Sequence, residues 1–272
     1  MTNAPLGHAA ALHAVKEALY HRAPSHVPAT LEACSCAHCL PPDRRALMIA
    51  TPVRDLPAPL VRDYLDSAHG VPRDPADLRA LLPRVLDLLG DADTGFCTGL
   101  RTELHRFGAA QAQNPDLFDA QTQGLMQDWG RLMLLHHGPA QADRPHSPHT
   151  ALALTETLLV GGWAIETVFG ALDTLFAIEA GARARLGFLE SLGHSLLQHG
   201  HLGLRALAMF RPETAPAVAA ALNRLLLGPA VQDLLVLTDP ADAPWAGALW
   251  EQAGTLTPGH ILAASTAYGR GA

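Results

Sequence analysis

Apolar positions along this chain follow the three- and four-residue spacing of helices, and no stretch alternates as a half-buried strand does. The pattern predicts a first helix over 4–22 that ends before Pro24. A loop rich in Pro and Cys follows over 23–42, then a short helix over 42–49 and another over 55–68 that stops at Gly70. The best-punctuated element covers 74–90. Asp74 suits an N-cap, Pro75 the first helical position, and Asp77 the positive helix start. Leu78, Leu81, Leu82, Val85, Leu88 and Leu89 form its apolar stripe, Gly90 ends it, and Pro83 predicts a kink or a division. Further helices are predicted over 98–108 and 115–136, the second with Leu117, Leu125, Trp129, Leu132 and Leu135 inward.

Three prolines and a glycine within 138–149 forbid a regular helix there. This stretch reads as a linker between an N-terminal helical region, 1–137, and a C-terminal one, 150–272. The strongest periodicity lies beyond it, over 151–179. Leu154, Leu158, Ile165, Val168, Phe169, Leu172 and Phe176 share one face, and Glu156, Glu166, Thr167, Asp173 and Thr174 share the other. As one helix this segment would be about 43 Å long. Gly161 and Gly162 either admit a close neighbour or bend it. Residues 181–209 continue in helical style, with Gly193, Gly200 and Gly203 as breaks, and the last helices fall at 214–227, 229–237, 242–253 and 259–267. The fold class expected is all-α, a multi-helix bundle or irregular helical array, with any division into two lobes at 138–149. The alternative is a HEAT-like helical solenoid, suggested by the helix–turn–helix pattern of 81–108.

Composition supports a folded helical chain. Of 272 residues, 49% are hydrophobic and 17% charged, which is far from the composition of disorder. Ala and Leu dominate, and Lys16 is the only lysine. This bias is that of a GC-rich bacterial genome. The net charge is −7, and no Lys/Arg run interrupts it. Nucleic acid, which needs clustered cations, is therefore a poor expectation as partner. The start, Met1 to His8, lacks the pattern of a signal peptide. The most apolar stretch is interrupted by Glu156, Glu166 and Asp173, so no membrane span is expected, and the location expected is cytoplasmic.

Four motifs bear on chemistry. Cys34-Ser35-Cys36-Ala37-His38-Cys39 places three of the four cysteines in one turn. Cys36 and Cys39 have the step that lets two thiolates meet one metal, with Cys34 and His38 as further local ligands; zinc is the metal such donors favour. No second Cys-x-x-Cys exists, and Cys97, His69, His136/His137 and His146/His149 are undistinguished as remaining donors. A reversible Cys36–Cys39 disulfide and simple packing are the other two readings. Among fifteen histidines, His194, His199 and His201 cluster in sequence without sharing one helix face at ligand spacing. Gly193-His194-Ser195 has part of a nucleophile elbow but lacks its final glycine and its strand. Glu156, Glu166 and Asp173 read as a solvated helix face rather than an acid/base pair. Phosphate-binding glycine loops are absent.

Residues 10–90 also carry a sequence of motifs: Cys36-Ala37-His38-Cys39, then Asp63-Tyr64-Leu65-Asp66-Ser67-Ala68, then Leu82-Pro83-Arg84-Val85-Leu86-Asp87-Leu88. In this order and spacing the segment resembles a family of uncharacterised bacterial proteins. It departs from that family at His69–Asp74, where aromatic residues are expected. The resemblance implies no activity and no site. The function expected is that of a non-catalytic helical interaction or scaffold protein, binding another protein or itself, with a structural metal at the Cys34–Cys39 loop. The alternative is a metal- or thiol-dependent enzyme centred on the same loop.

Overall fold

The computed structural model describes residues 4–31, 34, 39–67, 75–91, 104–140, 150–239 and 241–266. These form fourteen α-helices and no strand. In chain order they are α1 (Ala4–Arg22), α2 (Pro42–Ala50), α3 (Ala58–Asp66), α4 (Ala76–Gly90), α5 (His105–Gln113), α6 (Ala120–Ala140) and α7 (Ala151–Val160). Then follow α8 (Ile165–Ala177), α9 (Ala182–His199), α10 (Arg205–Phe210), α11 (Ala215–Leu226), α12 (Pro229–Leu237), α13 (Pro244–Gln252) and α14 (Pro258–Thr266).

Thr150 starts α7 by accepting the Ala153 N–H on its side chain, at 3.2 Å. All ten residues of α7 are buried, and α5, α6, α8, α9 and α10 pack around it. Its threonines are satisfied internally: Thr155 and Thr157 donate to the carbonyls of Ala151 and Ala153, at 2.7 and 2.8 Å. The long helix expected over 151–179 is two helices. Gly162 takes φ +93°, a conformation that disfavours any side chain, and the chain turns through Gly161–Ala164 before α8 begins. Trp163, in that turn, lies against Gly130 of α6 and donates its indole N–H to the Met126 carbonyl, at 2.5 Å. Gly108 of α5 touches the other side of the same turn. A Cβ there would stand 2.0 Å from the Val160 carbonyl oxygen.

Elsewhere α1 lies on α6 and α4, α13 crosses α9, and α14 packs on α10 and α11. Contacts between such distant parts of the chain distinguish this array from a solenoid, in which each repeat touches only its neighbours. The buried apolar residues form one cluster from Leu12 to Ile261. Between α1 and α4, Asp87 receives the Lys16 ammonium at 2.5 Å, the Arg84 guanidinium at 2.8 Å and the Tyr20 hydroxyl at 3.3 Å. Partial burial opposes its ionisation, and the two cations outweigh that effect, holding its carboxyl below the usual range.

Several boundaries differ from those expected. Pro83 neither kinks α4 into two elements nor ends it. The residue at the N-cap of α4 is Pro75, with no side-chain hydrogen bond, and Asp74 lies outside the described residues. α6 runs on through Gly138 and Pro139, since a proline in a last turn removes only one intrahelical bond. The rest of the Pro-rich stretch, 141–149, lies outside the described residues.

The largest correction concerns Glu156. It does not join a solvated face: it is 2% exposed. Its Oε1 accepts the N–H groups of Ala206 and Leu207, at 2.8 and 3.3 Å, in the first turn of α10. Leu204, at the N-cap of α10, offers no side-chain oxygen, so a carboxylate from α7 takes that role. Glu156→Ala is expected to lower stability by about 2–4 kcal/mol, because it strands buried donors and opens a cavity. Glu156→Gln, which keeps an oxygen acceptor, is expected to lose about half as much. Urea unfolding at unchanged m-value measures both.

Candidate functional site

Of the four residues expected to hold a metal, Cys36 and His38 lie outside the described residues. Cys34 and Cys39 are half-buried, and the Leu40 N–H donates to the Cys34 carbonyl at 3.1 Å. Among the described residues, no three His, Cys, Asp or Glu side chains converge as a metal would require. Of the further donors considered, Cys97, His69, His146 and His149 lie outside the described residues. His136 and His137 meet edge-on on α6, with ring centroids 4.7 Å apart.

The serine–histidine pairing is different from the one the sequence suggests. His194 is exposed and faces Trp245. The imidazole near Ser195 is that of His201, whose Nδ1 lies 3.5 Å from Oγ. The same Nδ1 accepts the Gly203 N–H at 3.1 Å, where the chain turns at φ +73°. That nitrogen's lone pair is therefore committed to the backbone. Burial, with His199 and Arg205 nearby, holds the His201 pKa below its ordinary value. The ring is a neutral, buried turn anchor rather than a base for Ser195. Glu166 and Asp173 remain exposed on α8, as its periodicity predicts.

Two further features emerge. The first is a buried ionisable cluster contributed by α3, α4 and α5. The Tyr64 hydroxyl donates to the Asp77 carboxylate, and the Arg106 guanidinium stands 4.4 Å over the Tyr64 ring. Arg106 and Ser67 also donate to the Tyr64 carbonyl, at 3.4 and 2.7 Å. All four residues are buried. Burial and the Asp77 charge push the Tyr64 pKa up, against the pull of Arg106, so the phenol stays a donor. Burial lowers the Arg106 pKa, and Tyr64 and Asp77 oppose that shift. Asp77 looked from sequence like a helix-start acid; its partnership with Tyr64 is set by tertiary placement. The motif containing Tyr64 and Ser67 was the one available signal.

The second feature is on the surface. α12 packs on α8, α11 and α13, yet Leu237 is 84% exposed and Val236 67%. Leu227, after α11, and Trp250, on α13, are also exposed. Leu227 reaches to within 3.4 Å of a Cβ placed on Gly254, which ties it to the end of α13 one turn beyond Trp250. The exposed charged residues on α11's last turn, α12, α13 and the segments joining them are four acids, Asp233, Asp239, Asp242 and Glu251, and one cation, Arg224. Arg224 of α11 acts electrostatically on Asp173 of α8.

Comparison with protein-family models, curated proteins and solved structures finds no match to this chain. No single helix among the described residues is long and apolar enough to cross a membrane. Tyr64→Phe leaves the Asp77 carboxylate short of a buried donor and is expected to cost about 1–3 kcal/mol, read by thermal or urea unfolding.

Proposed function

We propose that this chain is a helical protein-interaction protein whose docking face is formed by α11, α12 and α13. The observation that carries this reading is the exposure of Leu237 and Val236 at the end of a helix otherwise packed into the array. Single exposed apolar residues are ordinary; four large ones on α12, on α13 and just after α11, with α12 packed on both neighbours, are a reason to expect a partner. The acidic residues beside them select its chemistry. Two copies of this face would bring Asp233, Asp239, Asp242 and Glu251 together, and like charges across an interface are costly. A partner segment with apolar anchors flanked by Arg or Lys, such as a basic amphipathic helix, fits better. An anionic bilayer carries the wrong sign of charge.

The Cys34–Cys39 loop supports a second reading, a structural zinc held by Cys34, Cys36, His38 and Cys39. The bond from the Leu40 N–H to the Cys34 carbonyl, which holds Cys34 beside the residue after Cys39, favours it. Soft thiolates with one imidazole are a donor set suited to zinc.

A designed Leu/Arg amphipathic peptide is expected to bind in fluorescence anisotropy, with affinity falling as salt rises, while its Leu/Glu counterpart and anionic vesicles do not bind. Leu237→Asp changes an exposed position, so it should alter stability by no more than about 0.5 kcal/mol yet weaken the peptide at least about tenfold. Equal binding of both peptides, or indifference to Leu237→Asp, would reject the assignment. For the loop, elemental analysis is expected to find about one zinc per chain, lost in Cys36→Ser/Cys39→Ser, with a lower melting temperature in that variant. A metal-free wild-type protein would count against the zinc.

A further inference from the structure

A cavity of about 550 Å³ opens between α5, the start of α6 and the turn that joins α7 to α8. This size is in the range of small-molecule sites. Three glutamines and one arginine among its lining residues give it chemical character. Each glutamine has one end of its amide fixed by backbone. Gln111 donates its Nε2 to the Gly161 carbonyl at 2.9 Å, and Gln123 donates its Nε2 to the carbonyls of Pro115 and Phe118, both at 3.0 Å. Gln127 is held the other way round, its Oε1 accepting the Ala164 N–H at 3.1 Å. These bonds fix which polar atoms are left over. Gln111 and Gln123 retain an oxygen acceptor, and Gln127 retains an N–H donor, without a partner among the described residues.

Arg211 adds a cation. Its Nε is bound to Glu213 at 2.5 Å and its Nη1 is buried against Gly108, which leaves Nη2 without a partner among the described residues. Glu213 is mostly exposed, so solvent screens the charge it brings. A guanidinium with unspent donors beside a cavity favours a carboxylate. The glycines keep the space open. A Cβ on Gly162 would stand 2.8 Å from the Gln111 amide nitrogen, whereas one on Gly124 would meet nothing within 4 Å.

We propose that this cavity binds a short peptide through its free C-terminus. The terminal carboxylate takes the Nη2 donors of Arg211 and the spare N–H of Gln127, and the peptide N–H groups donate to the oxygens of Gln111 and Gln123. A carboxylate adjoining amide N–H groups is the chemistry that satisfies both leftover acceptors and leftover donors. The assignment is independent of the face on α11–α13, from which no residue lines the cavity.

Titration of N-acetyl-alanyl-alanine into the full-length protein, followed by two-dimensional amide NMR, tests the proposal. Saturable shifts are expected at residues flanking Gly124 and Gly162, and the C-terminal amide of the same peptide is expected to bind at least about tenfold more weakly. Gly124→Leu places a side chain in the cavity from a helical position with open space, so it keeps the fold while abolishing the shifts. Arg211→Gln is expected to remove the preference for the carboxylate over the amide. Absence of saturable shifts at millimolar peptide, equal binding of acid and amide by the wild-type protein, or full binding by a folded Gly124→Leu variant would each overturn it.

Discussion

A helix with no solvent-facing side constrains everything around it. α7 contributes ten consecutive buried residues, so five other helices must enclose it, and each must approach closely enough to exclude water. That requirement explains the small residues at its C-terminal end. Gly108 on α5 admits the Val160 carbonyl, and Gly130 on α6 admits the Trp163 ring. The left-handed conformation of Gly162 then turns the chain so that α8 can lie alongside rather than continue the axis.

Enclosure also makes Glu156 consequential. A carboxylate inside a protein must find donors, and a short helix capped by a leucine must find an acceptor. α7 and α10 answer each other's need, and the bond fixes where α10, and the α14 packed on it, sit. The Tyr64–Asp77–Arg106 cluster does the same among α3, α4 and α5. Polar groups in this molecule thus join elements that apolar contact alone would leave free to slide.

The sequence was most readable where a helix decides its own limits. The element predicted at 4–22 and that at 229–237 have the boundaries observed, and the polar face assigned to Glu166 and Asp173 on α8 is the exposed one. It misled where an answer lay elsewhere in the chain. A helical wheel carries its phase through Gly161–Gly162, although the backbone does not, and so it sets Glu156 on one wetted face with Glu166 and Asp173. Nothing local to α7 announces the open amides of α10. The same holds for Asp77, read correctly as an acid in a first turn, whose phenol partner sits on another helix. At the Cys loop the residue types are legible, but Cys36 and His38 fall outside the described residues, and ligation is a matter of convergence that spacing alone cannot supply. The glutamine-lined cavity had no sequence signal, because its character comes from which end of each amide the backbone occupies.

Lys16 is the sole lysine of the chain, and its ammonium is held against Asp87 between α1 and α4. Acylation of lysine side chains, enzymatic or by a laboratory ester, therefore has one target in this protein. A reagent reaches that amine only when it leaves the ion pair that joins the two helices, so the rate at which it reacts is a gauge of how often that pair opens.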